Sequence, residues 1–527
     1  MNIQSFLAGN TTMQNSDDNL PKMDRWHSTL LDVHKWSDHP ELKSLSERLY
    51  IDVGIDELDM SGNRKPKRKA KDMLRVLLLD LYVKWLHDPT LSIGFPKDKM
   101  TYRVKDNRYN KVFISEKIIA VEAKLVNAGF LDELVGYNDR TGQGDSYTTR
   151  IRPSVKLRQE FQQITADLYD IDFDVAREVI ILREKFEDDQ GKIRRLNRDY
   201  KDNEYSNRIR EQLDAYNALL RTTFIDVPSL TERVVRRQIE KGDRAGQEQL
   251  ISIGLDNKHV YRVFNGTAAD NWTQGGRFYG GWWLQIPRDM RKDIYINDQP
   301  TVEVDYKALH PNLLLLEGES ETSVYDPYDL GELVLPDIIV TKPQQRGAMK
   351  SLILMAINAT SAKKAFQAFR RDKKKNDPLK TLKDHQLQTL LDAFTDKFPD
   401  LKDALNTGKA LELMNKDSII ANMVIDYFTQ QGIPILCIHD SFIIQHDKEE
   451  ELKKVLHVAS VQVAGKGIEQ DTKSNKREFK GMIQGNIAGY EIKKQVTVNQ
   501  PNKVIPTEQY IARRLKHYKW LESSKSN

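Results

Sequence analysis

The chain has 527 residues, a net charge of +4 and 39% apolar side chains, enough for packed cores in two to four domains. No apolar run approaches the ~18 residues that span a bilayer, and the first residues lack the basic start and apolar stretch of a secretory leader, so no membrane partner is expected. One cysteine, Cys437, excludes an intrachain disulfide and a cysteine-based zinc site; it suits a reducing, cytoplasmic setting.

Residues 1–70 are poor in apolar side chains and close on a basic run from Asn63 to Lys71. They read as a flexible arm with a short helix or two, with Leu42 to Ile55 the stretch that could pack on a neighbour. Residues 71–160 read as a winged helix-turn-helix. One helix, Met73 to Leu86, carries Leu74, Leu77, Leu78, Leu81 and Trp85 on a stripe. A second runs from Glu116 to Asn127 behind Ser115, and Gly129 stops it. Two strands follow, Phe130 to Tyr137 and Tyr147 to Ile151, with a polar wing from Asn138 to Gly144 between them. Lys117 and Lys124 on the helix, and Arg140, Arg150 and Arg152 near the wing, are placed to meet phosphates. A small packing domain without DNA contact is the alternative.

Residues 161–250 are charged and read as helices over Val175–Phe186, Ser206–Arg221 and Ser229–Gln238. Residues 251–490 hold the stretches that carry chemistry. Trp272, Tyr279, Trp282 and Trp283 lie among glycines, a composition that lets backbone approach a ligand and aromatics stack on bases. Thr301-Val302-Glu303-Val304-Asp305 alternates with period two, so Glu303 and Asp305 share one strand face. From Ile433 to Ile444 an apolar strand, the polar tip His439-Asp440-Ser441 and a second apolar strand read as a hairpin with Asp440 at its turn. Between them a helix follows Pro343 and puts Arg346 and Lys350 at i and i+4 on one face. Two strand-end aspartates side by side can hold a pair of Mg²⁺ ions, or Mn²⁺ in their place. Such a pair clamps the attacking and leaving oxygens of a phosphoryl transfer. Two cations beside an apolar surface suit a nucleoside triphosphate. Residues 491–527 form a basic tail, and a further basic cluster runs from Lys363 to Lys375.

The order of these stretches resembles motifs A, B and C of the right-hand polymerases, the family A DNA polymerases and the phage-type single-subunit RNA polymerases. Motif A matches Asp305-Tyr306-Lys307-Ala308-Leu309-His310. The R-x3-K helix of motif B matches Arg346 and Lys350. His439-Asp440-Ser441-Phe442 matches motif C as the RNA polymerases write it. Gly275-Gly276-Arg277 is similar to the motif that grips the template–primer hybrid. The tyrosine-glycine pair that ends motif B is replaced by Asn358-Ala359.

The resemblance implies an α/β fold: a palm with helical fingers and a thumb-like region at 161–250, preceded by the winged helix-turn-helix domain. It implies template-directed nucleotidyl transfer onto a primer 3′-hydroxyl. Asp305, Asp440 and the Tyr306 carbonyl would hold metal, and Arg346 and Lys350 the triphosphate, with Lys350 also protonating the leaving pyrophosphate. Arg277 and His439 would touch the primer–template end. His310, at the place of the sugar-gating tyrosine of family B DNA polymerases, and Tyr306 would contact the nucleotide. His310 favours deoxynucleotides, hence a DNA polymerase; Ser441-Phe442 favours an RNA polymerase or primase. A winged-helix DNA-binding factor with a degenerate palm is a third reading. The partners expected are DNA template and primer and nucleoside triphosphates.

Overall fold

The computed structural model describes residues 20–527 except 61–68, 103–107, 111–113, 139–145, 188–192, 240–243, 245, 267–271, 318–325, 340, 375, 475, 488–489, 502–503 and 526–527. Side chains at 110, 316–317 and 474–501 are also left undescribed. The chain is mixed α/β and divides into two compact units. One comprises Met1–Glu178 with Glu232–Arg236 and Gln249–Asp256; the other comprises the remaining segments. Among the described residues no helix is long and apolar enough to cross a membrane.

The first unit is built around α3. In chain order its elements are β1 (Ser28–Leu30), α1 (Pro40–Asp52), α2 (Glu57–Met60), α3 (Ala70–His87), β2 (Ser92–Phe95), α4 (Lys99–Tyr102), α5 (Lys117–Asn127), β3 (Leu131–Leu134), β4 (Thr149–Pro153) and α6 (Val155–Gln162). Helix α3 is apolar nearly all round, and Met73, Leu74, Val76, Leu77 and Leu81 are fully buried, as such a helix must be. Helix α1 packs on it through Leu42, Leu45 and Leu49, and α5 through Ile118, Val121 and Leu125. Within the expected arm the Leu42–Ile55 stretch packs into the core, as its leucine spacing allows, while Trp26, Leu30 and Met60 stay exposed. Strand order is β1-β2-β4-β3, with β2 and β3 both antiparallel to β4. Gly129, at φ +76°, ends α5 as expected. Most of the wing and of the Asn63–Lys71 run, Arg140 included, lies outside the described residues.

The second unit holds two main sheets. The first has the order β11-β10-β5-β6, from β5 (Ile180–Glu187), β6 (Ile193–Arg198), β10 (Val260–Asn265) and β11 (Gly275–Gly280). Between β6 and β10 come α7 (Glu204–Thr222), β7 (Ile225–Asp226), β8 (Val234–Gln238) and β9 (Glu248–Ser252). The expected helices at Val175–Phe186 and Ser229–Gln238 are thus strands where they are regular. Val179-Ile180-Ile181 and Val234-Val235 are β-branched runs, stiff at χ1, and they decide against the helix that the charged flanks suggest. Only α7 keeps the expected helix. Its Tyr216 hydroxyl donates to the Ile435 carbonyl at 2.5 Å. The Asn217 amide pairs with the Val260 backbone at 2.8 and 2.9 Å.

The other sheet runs β14-β15-β13-β12-β7, from β12 (Tyr295–Ile296), β13 (Gln299–Tyr306), β14 (Leu436–Ile438) and β15 (Ser441–Gln445). A further strand, β16 (Gln470–Ser474), pairs with β13 on the edge away from β15. The helices are α8 (Leu309–Glu317), α9 (Lys342–Asn358), α10 (Ala362–Asp372), α11 (Asp384–Lys397), α12 (Ala410–Gln430) and α13 (Glu449–Ala464). A ribbon of β17 (Lys476–Ile487) and β18 (Tyr490–Pro501) precedes the last helix, α14 (Glu508–Lys525). The expected basic tail is partly structural. Arg513 makes a two-pronged pair with Asp226 at 2.7 and 2.9 Å, and Arg514 pairs with Asp298 at 2.6 Å.

Candidate functional site

Strand β13 carries Asp305 to the sheet end. Its valines are buried, while Glu303 and Asp305 share the other face, as the period-two pattern predicts. The chain then turns sharply into α8. Ala308 takes φ +48°, and the Asn312 amide braces the turn by donating to the Lys307 and Ala308 carbonyls at 3.0 and 3.3 Å.

The β14–β15 hairpin turns through His439 and Asp440 alone, since Ile438 pairs with Ser441. His439 adopts φ +59°, a left-handed geometry more usual for glycine. In register, Ser441 faces Asp305, so Asp440 is presented one residue from Asp305's cross-strand partner. Burial first, then the charge of Asp305, push the Asp440 carboxyl above the usual aspartate range. The sequence-expected pair is therefore assembled, with its like charges uncompensated by each other.

This arrangement fits a divalent ion. A cation between the two carboxylates relieves both the burial of Asp440 and its repulsion by Asp305. Among the described residues no group of three or more His, Cys, Asp and Glu is placed to hold a metal. Asp305 and Asp440 would offer two carboxylates, a set that suits a hard ion completing its shell with water and phosphate oxygens. The Tyr306 side chain does not face a ligand: its hydroxyl donates to the Leu456 carbonyl at 2.5 Å, and burial drives its pKa far up.

A second knot lies on α12. Asp417, 1% exposed at its side chain, accepts from Arg277 through both Nε and Nη2, and from His310 Nε2 at 2.8 Å. Burial opposes the Arg277 charge, but Asp417, helped by Asp440, more than offsets it and the guanidinium pKa rises. Below it Arg262 is fully buried between the Phe264 and Phe278 rings. It donates to the Gly276 carbonyl at 2.7 Å and to Asn422 at 3.0 Å, and burial pulls its pKa down to about 10. Gly276 is required there: a Cβ would come within 2.7 Å of the Phe264 ring and the Ser418 hydroxyl. His439 closes this side. Its ring meets Tyr279 edge-on, its Nδ1 is buried without a hydrogen-bond partner, and burial, then Arg277, lowers its pKa.

Arg346 and Lys350 are exposed on α9. Arg346 is paired with Asp326, whose hydrogen bond raises the guanidinium pKa. Tyr328 feels the charges of Asp326, Arg346 and Asp440. Burial, then Asp326, with Asp440 adding, pushes its phenol up. Asp326–Leu330 belong to a turn-rich stretch after motif A that the resemblance would put at the start of the fingers, near the incoming nucleotide; Tyr325 lies outside the described residues.

The helix cations of the first unit are occupied within the fold. Lys117 donates to the Leu58 carbonyl at 2.9 Å, and Lys124 pairs with Glu57 at 2.8 Å, so each has a partner on or beside α2. Arg150 donates to the Arg25 and Thr148 carbonyls at 3.1 and 2.7 Å. Of two residues near the aspartates, Asp417, early in a helix, reads from the sequence equally as a cap or a group facing primer or template, and Lys473, on β16, carries no local signal. No protein-family model and no curated protein matches the chain.

Proposed function

We propose that the chain is a template-directed nucleotidyltransferase of right-hand polymerase type, acting in the cytoplasm on a DNA template and primer. One observation carries the reading. Asp305 and Asp440 stand at the ends of adjacent antiparallel strands in the register that makes their carboxylates neighbours. Bound Mg²⁺ would supply activation of the primer 3′-hydroxyl and stabilisation of the pentacovalent phosphate.

The chain's own residues do the rest. Asp305 and Asp440 would hold the ions. Arg346 and Lys350 offer two solvent-facing cations on one helix face for the triphosphate, and Lys350 would give a proton to the leaving pyrophosphate. Arg277, fixed by Asp417, and the unpartnered Nδ1 of His439 are available to the primer end. His310 is held by Asp417, so its ring is a fixed wall at the start of α8, which supports a gate against ribose. In the first unit the order helix, strand, helix, helix, strand, strand, with β2 pairing β4, supports the winged-helix reading. That domain would not contact DNA through Lys117, Lys124 or Arg150.

The test is primer extension with Mg²⁺, with dNTPs and NTPs offered separately. Asp440→Ala should lower incorporation ~10³-fold or more, since metal-held charge is worth several kcal/mol in the transition state, without changing the melting midpoint by more than a few degrees. Extension with NTPs but not dNTPs would turn the reading to RNA synthesis and remove the gate. No extension with either, alongside tight DNA binding, would leave a winged-helix factor.

A further inference from the structure

Strand β16 brings a cation to the carboxylates from the side opposite the hairpin. Its register with β13 sets Lys473 against Glu303 and Asp471 against Asp305. Cross-strand partners share a sheet face, so Lys473 stands on the face of both acids. Its Nζ lies 2.8 Å from Asp305 Oδ2 and 3.7 Å from Glu303 Oε1. Glu303 also accepts from the Ser441 hydroxyl at 3.0 Å, which ties it to the hairpin that presents Asp440. One ammonium thus bridges two carboxylates, one of them a ligand of the proposed ions. At 36% side-chain exposure Lys473 can swing out, unlike Asp417 or Arg262. A lysine head is a compact, hydrated point charge on a flexible stem and imposes no forked geometry on its partner.

We propose that Lys473 is a resident cation of the carboxylate site. It balances Glu303 and Asp305 in the metal-free chain and competes with the divalent ion for Asp305, and so sets the ion concentration at which the site fills. The inference rests on the reading of Asp305 and Asp440 as the ion-holding pair. Lys473 is a positioning residue in this scheme, since it acts through Asp305. An ammonium 2.8 Å from a ligand oxygen opposes a second cation at that oxygen. Removing it should therefore tighten ion binding while exposing the acids to their mutual repulsion.

The experiment measures Mn²⁺ binding to the full chain without nucleic acid, by titration calorimetry, with melting midpoints in chelator and in excess Mn²⁺. Lys473→Met should bind Mn²⁺ ~10-fold tighter, the scale on which an adjacent unit charge moves a site equilibrium. It should melt lower than wild type in chelator and gain more on adding Mn²⁺. Lys473→Arg should keep the wild-type affinity within about threefold, the charge being retained. Equal or weaker Mn²⁺ binding by Lys473→Met overturns the inference while leaving the ion site intact. Wild-type binding that Asp440→Asn does not reduce overturns the ion site itself, and the inference with it.

Discussion

Two ionic clusters, one in each unit, are built from the same residue types and end in opposite states. In the first unit Lys35 is 3% exposed at its side chain and lies 2.9 Å from Asp80 and 2.8 Å from Asp32. Lys84 and Arg177 stand within 3.8 Å of the same acids. Burial works against the Asp32 carboxylate, but Lys35 and Arg177 overcome it and its pKa falls well below the usual range. Burial likewise works against the Lys35 ammonium, but Asp80 and Asp32 overcome it and hold its pKa above the usual lysine value. The cluster is closed, with each charge answered. In the second unit Lys473 answers Asp305 at 2.8 Å, but Asp440, beside Asp305, is driven the other way by burial and by that charge, toward its protonated form. A structural cluster neutralises itself; a carboxylate left frustrated beside another marks where the fold keeps room for an outside cation.

The largest expected effect breaks the closed cluster. Lys35→Met leaves Asp80, 0% exposed at its side chain, without its buried partner. The expected loss is ~3–5 kcal/mol, the range for removing one member of a buried pair. Urea denaturation monitored by near-ultraviolet dichroism measures it. A loss under ~1 kcal/mol would mean that Lys84 substitutes for Lys35, and the cluster would be no more closed than a surface pair.

The contrast was half legible in the sequence. The aspartate pair was readable because its register is local: Val302 and Val304 fix which face Asp305 takes, and the short apolar strands around His439-Asp440 leave room only for a two-residue turn. Arg346 and Lys350 were readable for the same reason, since a helix repeats every turn. The partners that set the electrostatics were not. Lys473 reaches Asp305 only because β16 returns to the edge of β13. Asp417 reaches Arg277 and His310 only because α12 packs across β11. Neither pairing leaves a local pattern. The strand at Ile180–Glu187 was misread because charged residues alternate irregularly along a run that its β-branched start commits to a sheet.

A raised carboxyl alone does not make a site, and Glu122 in the first unit sharpens the point. Its side chain is 0% exposed. Burial pushes its pKa up to about 7, although Lys97 lies 3.3 Å away and is shared with Glu133. Its neighbouring acid, Glu133, shares the Lys97 ammonium with it, so the pair is answered within the fold and the frustration is structural. A folded-state pKa above the unfolded value stabilises the fold fully below the unfolded range, near 4. That contribution is lost as pH rises through about 7. Glu122→Gln removes this slope. The variant should gain of order 1–2 kcal/mol over wild type above neutral pH and nothing at pH ~4. Urea midpoints at several pH values decide it. A gain that is flat with pH would assign the effect to packing rather than to charge.

The smallest expected effect concerns the cations that were read as DNA contacts. Lys124 is committed to Glu57 on α2, which is 72% exposed, so the pair is a surface one. Lys124→Ala should cost less than ~1 kcal/mol of stability. If the helix meets no phosphate, DNA affinity should stay within about twofold and the slope of log affinity against log salt should not change, because no counterion release is lost. A slope reduced by about one would mean that Lys124 leaves Glu57 for a phosphate when DNA binds. The first unit would then resemble the second, with an internal partner holding a charge until an outside ion takes its place.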